Sequence, residues 1–422
     1  MAQKLKFGNG TWATKEGSTL AYNDENNNYK PLPFSFERDS IATRVNKEGL
    51  IEVVGNDIPR IDYTDSTEGA LLLEPSRSNL VTYSEAFDNA YWIRNGSSVT
   101  SGFLSPDGTL NASKLSEDNT NAIHRIYQTA TVSASPNATI SIYVKYNQRK
   151  FVLIRVADSS VGRWYDIENG VLGSTYTGTS NDSSIESVGN GWYRISISHT
   201  VSNQARLELW VSDTESISAY QGDTNKGVYI YGAQLEQGSY PTSYIPTNGS
   251  TVQRAAETAN GSGNSEVFND SEGVLFCDIA ALTEIDTFRA ISISSGSDNN
   301  RINIWYWNNG TFKIDSNSGA NVQSNFDFDA NMTLFNKIAF KYKQNDFCVF
   351  HNGFKIGIDT SGITPVGLSE LSFDRANGAY PFYGKTKEIG YYDTVLTDAE
   401  LETLTSYRSL SELVTELNLN TL

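Results

Sequence analysis

The chain predicts an all-β fold with two β-sandwich domains after a small N-terminal attachment region. Three observations lead there. Aromatic residues make up 12% of the chain, alongside many Val, Ile and Thr, the types that suit a pleated, half-buried surface. Turn formers recur at short intervals, with 33 glycines in 422 residues, and cut the apolar runs to strand length. The pieces alternate apolar and polar with a period of two, not the 3.6 of a helix. A chain of this length holds two or three domains, each able to bury its own core.

Charge and composition narrow the partners. The net charge of −17 argues against a nucleic-acid binder, which needs a basic face for phosphates. No apolar run approaches the roughly 20 residues that span a bilayer, so membrane insertion is not expected. The start, MAQKLKFGNGTWATKEG, lacks the apolar core of a signal peptide. Cys277 and Cys348 sit in strand-like runs and read as small buried residues rather than a disulfide.

Residues 1–64 hold little periodic apolar sequence, with Asn-rich loops at Asn26–Asn28 and prolines at Pro31 and Pro33. They predict a region that packs on neighbours. A hairpin is expected around Asn9-Gly10, since Asn-Gly takes positive φ angles readily. Residues 65–247 form the first sandwich, with strands at Ile140–Tyr146, Phe151–Val156, Tyr193–Val201, Leu207–Val211 and Val228–Tyr231. Gly232 permits close backbone approach there, and Gly238, Pro241 and Pro246 end regular structure. Residues 248–265, polar and rich in small side chains, predict a linker.

Residues 266–408 form the second sandwich. Ile338, Phe340 and Tyr342 point inward and Lys337, Lys341 and Lys343 outward. Asn352-Gly353 and Asn309-Gly310 are two-residue hairpin signals. Thr397 and Glu400 make a capping box that starts a short helix. Ser409 and Glu412 repeat the signal in the tail, residues 409–422, whose short apolar stripe docks on its own domain or serves as an oligomer contact.

Several of these stretches carry a family resemblance. FSFERDSIATRVNKEGLIEVV (Phe34–Val54), GALLLEPSRSNLVTYSEAFDNAYW (Gly69–Trp92) and VYIYGAQLEQGSYPTSYIP (Val228–Pro246) together resemble a carbohydrate-binding-like jelly-roll module common in bacteriophage tail and other virion proteins. EGVLFCDI, NKIAFKYKQNDFCVFHNGFKIGI and KTKEIGYYDTVLTDAEL resemble the concanavalin A-like lectin/glucanase fold of laminin G type. The resemblance implies a virion surface protein (fibre, spike or similar appendage), assembled in the bacterial cytoplasm and homotrimeric. Its implied partners are a bacterial surface polysaccharide or other glycan and, through the N-terminal region, other virion proteins. A purely structural or decoration role stays open, as does a polysaccharide depolymerase. Trp92, Trp192 and Tyr193 match signature positions and read as structural. Calcium is common in jelly-roll sugar binders; no EF-hand-like spacing places an ion, and no other cofactor is implied.

Catalysis is not expected. The Glu-x-Asp-x-x-Glu run of the related hydrolases appears as Glu284-Ile285-Asp286-Thr287-Phe288-Arg289, with arginine where the acid should be. His199 reads as a core residue. For glycan binding, the informative aromatics lie on the polar side of a strand, where a ring can meet the C–H face of a sugar. Arg206, Glu208 and Trp210 share such a face, opposite Leu207, Leu209 and Val211. Tyr143 lies with Ser141 and Lys145 opposite Ile140, Ile142 and Val144. Arg301, Asn303, Trp305 and Trp307 lie opposite Ile302, Ile304 and Tyr306. The competing reading of each is burial under a loop or a neighbouring subunit.

Overall fold

The computed structural model describes residues 3–23, 28–30, 34–133, 137–156, 161–178, 182–215, 219–284, 287–307, 310–417 and 419. The Asn26–Asn28 loop (in part), Pro31, Pro33 and Asn309 of the second hairpin signal lie outside them. The chain forms two compact units, neither continuous in sequence. The first comprises Met1–Asp39, Gly55–Pro75 and Ala256–Leu422; the second comprises Ser40–Val54 and Ser76–Ala255.

The second unit is a sandwich of two six-stranded antiparallel sheets. One runs Ile93–Asn95, Arg125–Thr131, Gln204–Ser212, Phe151–Arg155, Gly162–Asp166, Val171–Thr177. The other runs Ser97–Phe103, Ala112–Glu117, Gly227–Gln237, Asn137–Asn147, Trp192–Thr200, Asp182–Ser187. Apolar alternation turns Ile126, Ile154, Leu207 and Leu209 of the first toward Leu115, Ile140, Ile142, Ile195 and Ile230 of the second, and these residues form one core. Val228–Tyr231 thus sits mid-sheet, within a longer strand that ends at Gln237 as the glycine at 238 predicts. Trp92 and Trp192 are both buried, and the indole of Trp92 donates to the Tyr83 carbonyl.

The first unit packs an eight-stranded sheet on a five-stranded one. Along the larger sheet the order is Phe354–Asp359, Phe347–His351, Asn336–Lys343, Glu272–Ala281, Gly384–Tyr392, Ala70–Leu73, Arg60–Asp62, with Gln3–Gly8 as the eighth strand, beside Gly384–Tyr392. The smaller runs Asn321–Asp329, Thr311–Ser318, Arg301–Tyr306, Arg289–Ser294, Glu370–Ser372. Ile338, Phe340 and Tyr342 meet Ile302, Ile304 and Tyr306 in the core between them, the inward faces that alternation predicts. Asn352 and Gly353 both take positive φ, +48° and +86°, and close the expected hairpin. Both cysteines are buried and free. No helix among the described residues is long and apolar enough to cross a membrane.

The N-terminal region departs from expectation. Asn9 and Gly10 do adopt positive φ, but the strand before them does not pair with the strand after them. Gln3–Gly8 pairs instead with Glu388–Tyr392, sharing that strand's edge with Ala70–Leu73, which pairs with Thr386–Gly384. Leu5 and Phe7 are each 1% exposed, and the Phe7 and Phe34 rings stand 4.6 Å apart. These residues belong to the core of the first unit rather than to a separate layer.

The stretch 248–265 is likewise structured. Val252–Arg254 pairs with Arg77–Asn79 in the second unit, and Thr258–Asn260 with Ser35–Glu37 in the first. Its polarity has a physical reason in Glu257, which is buried and accepts hydrogen bonds from Arg38 and Arg60, each at 2.8 Å. Arg60 also donates to Glu74 at 2.8 Å, so two arginines and two glutamates share one buried site. Burial opposes the Arg60 charge, and the carboxylates of Glu257 and Glu74 outweigh it, holding the guanidinium firmly protonated.

Two short helices follow the last strand. Helix α1, Asp398–Thr405, starts at the Thr397–Glu400 capping box, and α2, Leu410–Glu416, starts at Ser409. Ion pairs hold α2: Lys337 meets Glu412 at 2.5 Å, and Lys387 meets Glu416. Asp278 lies 4.0 Å from Lys337, and burial pushes its carboxyl up to about 7 against the pull of Lys337 and Lys387. Burial pushes His351 down to about 4 from the usual 6.5.

These two groups oppose each other. From about pH 4 to 7 the folded state holds an Asp278 proton that the unfolded chain has lost, so stability falls as pH rises. From about pH 4 to 6.5 the unfolded chain alone protonates His351, so this contribution is present above pH 6.5 and lost as pH falls. Each slope approaches about 1.4 kcal/mol per pH unit. Urea melts at pH 4.5, 5.5 and 6.5 should therefore show stability rising more steeply with pH in Asp278→Asn than in the parent, and falling more steeply in His351→Gln. Parallel profiles for all three proteins would remove both groups as the source.

Candidate functional site

In the second unit, Gln204–Ser212 lies between Arg125–Thr131 and Phe151–Arg155. Register places Trp210 beside Arg125 and Leu153, Glu208 beside Tyr127 and Arg155, and Arg206 beside Thr129. Alternation thus puts Arg206, Glu208 and Trp210 on one face, opposite the core residues Leu207, Leu209 and Val211, as expected.

The face is not the open platform that alternation suggests. Trp210 is 4% exposed and Glu208 is fully buried. The cause is on the neighbouring strands. The guanidiniums of Arg125 and Arg155 lie 5.6 and 5.5 Å from the Trp210 ring centre, contacts worth about 0.5–2 kcal/mol each. Both donate to Glu208, Arg125 at 2.5 Å and Arg155 at 3.2 Å, and the Trp210 indole N–H donates to the same carboxylate at 2.6 Å. Arg206 stands 3.9 Å from Glu208 and lies over Tyr127. Tyr127 and Tyr176 flank the cluster, beneath Arg125 and Arg155 respectively, and both are half-buried. Arg125, Tyr127, Arg155 and Tyr176 are additions to the site. The alternation of RIYQT and FVLIR puts the two arginines and Tyr127 opposite the apolar side of their strands, but only the sheet order brings them to Trp210.

Tyr143 does not join them. It lies on the other sheet, 4% exposed, with Trp192, Tyr231 and Tyr244. Gly232, at φ +60°, makes room for it; a Cβ there would stand 2.9 Å from the ring. Its polar-face position is a second packing layer rather than a surface.

In the first unit, Arg301–Tyr306 carries Asn303 and Trp305 on the side away from the core. Neither is exposed: Asn303 is fully buried and Trp305 is 3% exposed. The covering loop runs from Asp374 to Tyr380, where the Ala376 N–H donates to Ser292 Oγ at 3.1 Å and Tyr380 packs on Trp305. Asp315 accepts from Asn303 at 2.8 Å and from the Trp305 indole at 3.1 Å, and burial raises its carboxyl pKa. Arg301 is also buried and donates to the Asp298 carbonyl. Arg375 lies over Trp305 and Tyr380 and donates to Asp298. Trp307 is half-buried at the end of this layer, 4.0 Å from the Phe288 ring, with the Lys313 ammonium 4.8 Å from its own. Of the four residues expected here, Trp307 keeps an accessible edge, and Tyr380 (37% exposed) and Phe288 extend it. Of the Glu284–Arg289 run, Ile285 and Asp286 lie outside the described residues. No group of three or more His, Cys, Asp or Glu among the described residues is placed to hold a metal ion.

No sequence-family description matches the chain, and no curated protein matches it. Among solved structures it is similar to the CBM40 of a Ruminococcus gnavus IT-sialidase bound to α2,3-sialyllactose, at 19% identity over 35% of this chain and 94% of that one, TM-score 0.30. It is also similar to domain 4 of a GH43 extracellular arabinanase from Geobacillus stearothermophilus in complex with arabinotriose, at 14% identity over 40% and 83%, TM-score 0.29. Domains LG4-5 of the mouse laminin α1 chain match at 8% identity over 65% and 86%, TM-score 0.23. Likeness at this level carries no argument about a ligand.

Proposed function

We propose that the protein is a bacteriophage virion surface protein, a fibre, spike or similar appendage subunit, that holds a bacterial surface glycan without cleaving it. The observation that carries glycan binding is the pairing of aromatic rings with cations on the sheet faces turned away from each core. Trp210 with Tyr127 and Tyr176 sits among Arg125, Arg155 and Arg206; Trp307 with Phe288 and Tyr380 sits beside Lys313 and Arg375. Rings offer a stacking surface for sugar C–H groups, and the cations offer donors to hydroxyls. The virion assignment is supported by the resemblance of the stretches within Phe34–Pro246 to tail and other virion proteins. A homotrimer follows from the same resemblance, and repeated sites on a particle would multiply modest affinities. The burial of Trp210 and Trp305 favours a second reading, a structural virion protein with no glycan affinity.

Affinity electrophoresis through a panel of bacterial surface polysaccharides separates the two. The native chain is expected to be retarded by at least one polymer, and Trp307→Ala or Tyr127→Ala to lose that retardation while keeping the native circular-dichroism spectrum. A well-folded protein retarded by no polymer would leave the structural reading standing.

A further inference from the structure

We infer that the face around Trp210 takes a glycan residue carrying a carboxylate, the acidic class of surface polysaccharide. This rests on the glycan-binding reading above and adds the charge of the ligand. Two guanidiniums, Arg125 and Arg155, engage one buried carboxylate, Glu208, with Arg206 at 3.9 Å. The cluster is therefore positive on a chain whose net charge is −17. A neutral sugar has no use for that excess. A carboxylate does, because a guanidinium offers it charge-assisted, forked hydrogen bonds that a hydroxyl cannot match.

Two further observations point to a ligand. Glu208 takes the Nη1 donor of each arginine, and the Nε–H groups of Arg125 and Arg155 are buried with no partner among the described residues. An unmet buried donor costs about 1–3 kcal/mol, which an incoming acceptor would relieve. The side chains are 26% and 15% exposed, so an acceptor reaches their Nε–H groups once the side chains shift toward it. The rings they rest on would flank an incoming sugar, so charge and stacking surface coincide. Acidic residues farther than about 8 Å from the cluster do not cancel the attraction, since physiological salt largely screens exposed charges beyond that distance.

The test measures binding of the full chain to polygalacturonate and alginate, and to the same polymers with their carboxyl groups reduced to alcohols. Expected is retardation by a carboxylated polymer that weakens at least about tenfold on carboxyl reduction, a change of about 1.4 kcal/mol. Arg155→Gln should give a comparable loss. Because that variant leaves Glu208 half-paired, the double variant Arg155→Gln/Glu208→Gln is measured beside it; it removes one charge of each sign, so its loss in a folded protein reports the missing forked donor of Arg155 rather than the net charge. Equal binding of reduced and unreduced polymers would overturn the acidic class while leaving glycan binding in place. Acid-dependent binding unchanged in the folded double variant would overturn this site. Binding to the neutral polymers of the wider panel alone would also overturn it, and retardation by nothing at all would remove the glycan-binding reading too.

Discussion

Replacing Glu257 with glutamine is expected to destabilise the first unit by about 3–5 kcal/mol, the cost of leaving buried charge without its partner. Arg38 and Arg60 both donate to this carboxylate, and the Glu74 backbone N–H donates to it at 2.8 Å. Glutamine keeps the shape but offers one carbonyl oxygen and no charge, so Arg38 and Arg60 would lose the carboxylate they share, with Glu74 left to pair Arg60. Urea denaturation of parent and variant measures the difference directly. A change below 1 kcal/mol would mean that water reaches the cluster and that the four charges are not the constraint their burial implies. Glu74→Gln removes one of the bonds to Arg60 rather than the shared centre, and should cost less than Glu257→Gln.

Phe7→Ala is expected to cost about 3–5 kcal/mol, as for other large aromatic side chains deleted from a core. Its ring is 1% exposed and packs on Phe34, which in turn meets Phe373 at 5.1 Å. Deleting the strand Gln3–Gly8 should cost more, since Leu5 goes with it and Glu388–Tyr392 loses its pairing partner on that side. Thermal melts of both proteins check this. A truncated protein that melts with the parent would show that the N-terminal strand is dispensable to the fold and available for attachment alone.

Local rules carried the sequence reading where the structure is local. The inward faces of Lys337–Lys343 and of Arg301–Tyr306, the Asn352-Gly353 turn and the Thr397–Glu400 cap all depend on residues a few positions apart, and all are found. Of the lysines expected outward, Lys343 is exposed, whereas Lys337 and Lys341 are buried against Glu412 and Asp346. The partner of Gln3–Gly8 is some 380 residues away, and nothing in LKFGNG encodes that choice; the turn geometry at Asn9-Gly10 was legible and the pairing was not. Glu257 misled for another reason. A charged residue among small polar ones resembles a solvated linker, and only three-dimensional proximity to Arg38 and Arg60 makes it a buried centre. At Trp210 the face was legible but its exposure was not, because the groups that cover it come from Arg125–Thr131, Phe151–Arg155 and Val171–Thr177.

The threading of the two units also bears on how the protein is made. The chain passes from one to the other at 39/40, 54/55, 75/76 and 255/256. A ribosome working from the N-terminus has emitted every strand of the second unit by residue 255, so that sandwich can close during synthesis. The strands Gln3–Gly8 and Ala70–Leu73 must wait for Gly384–Tyr392, made more than 300 residues later. Throughout that interval Leu5 and Phe7 lack their sheet, and Leu71–Leu73 has Arg60–Asp62 beside it but not Gly384–Tyr392. The nascent chain thus carries one finished sandwich and one set of orphaned strands, and any pause after residue 255 prolongs the period in which those strands can pair with the wrong neighbour.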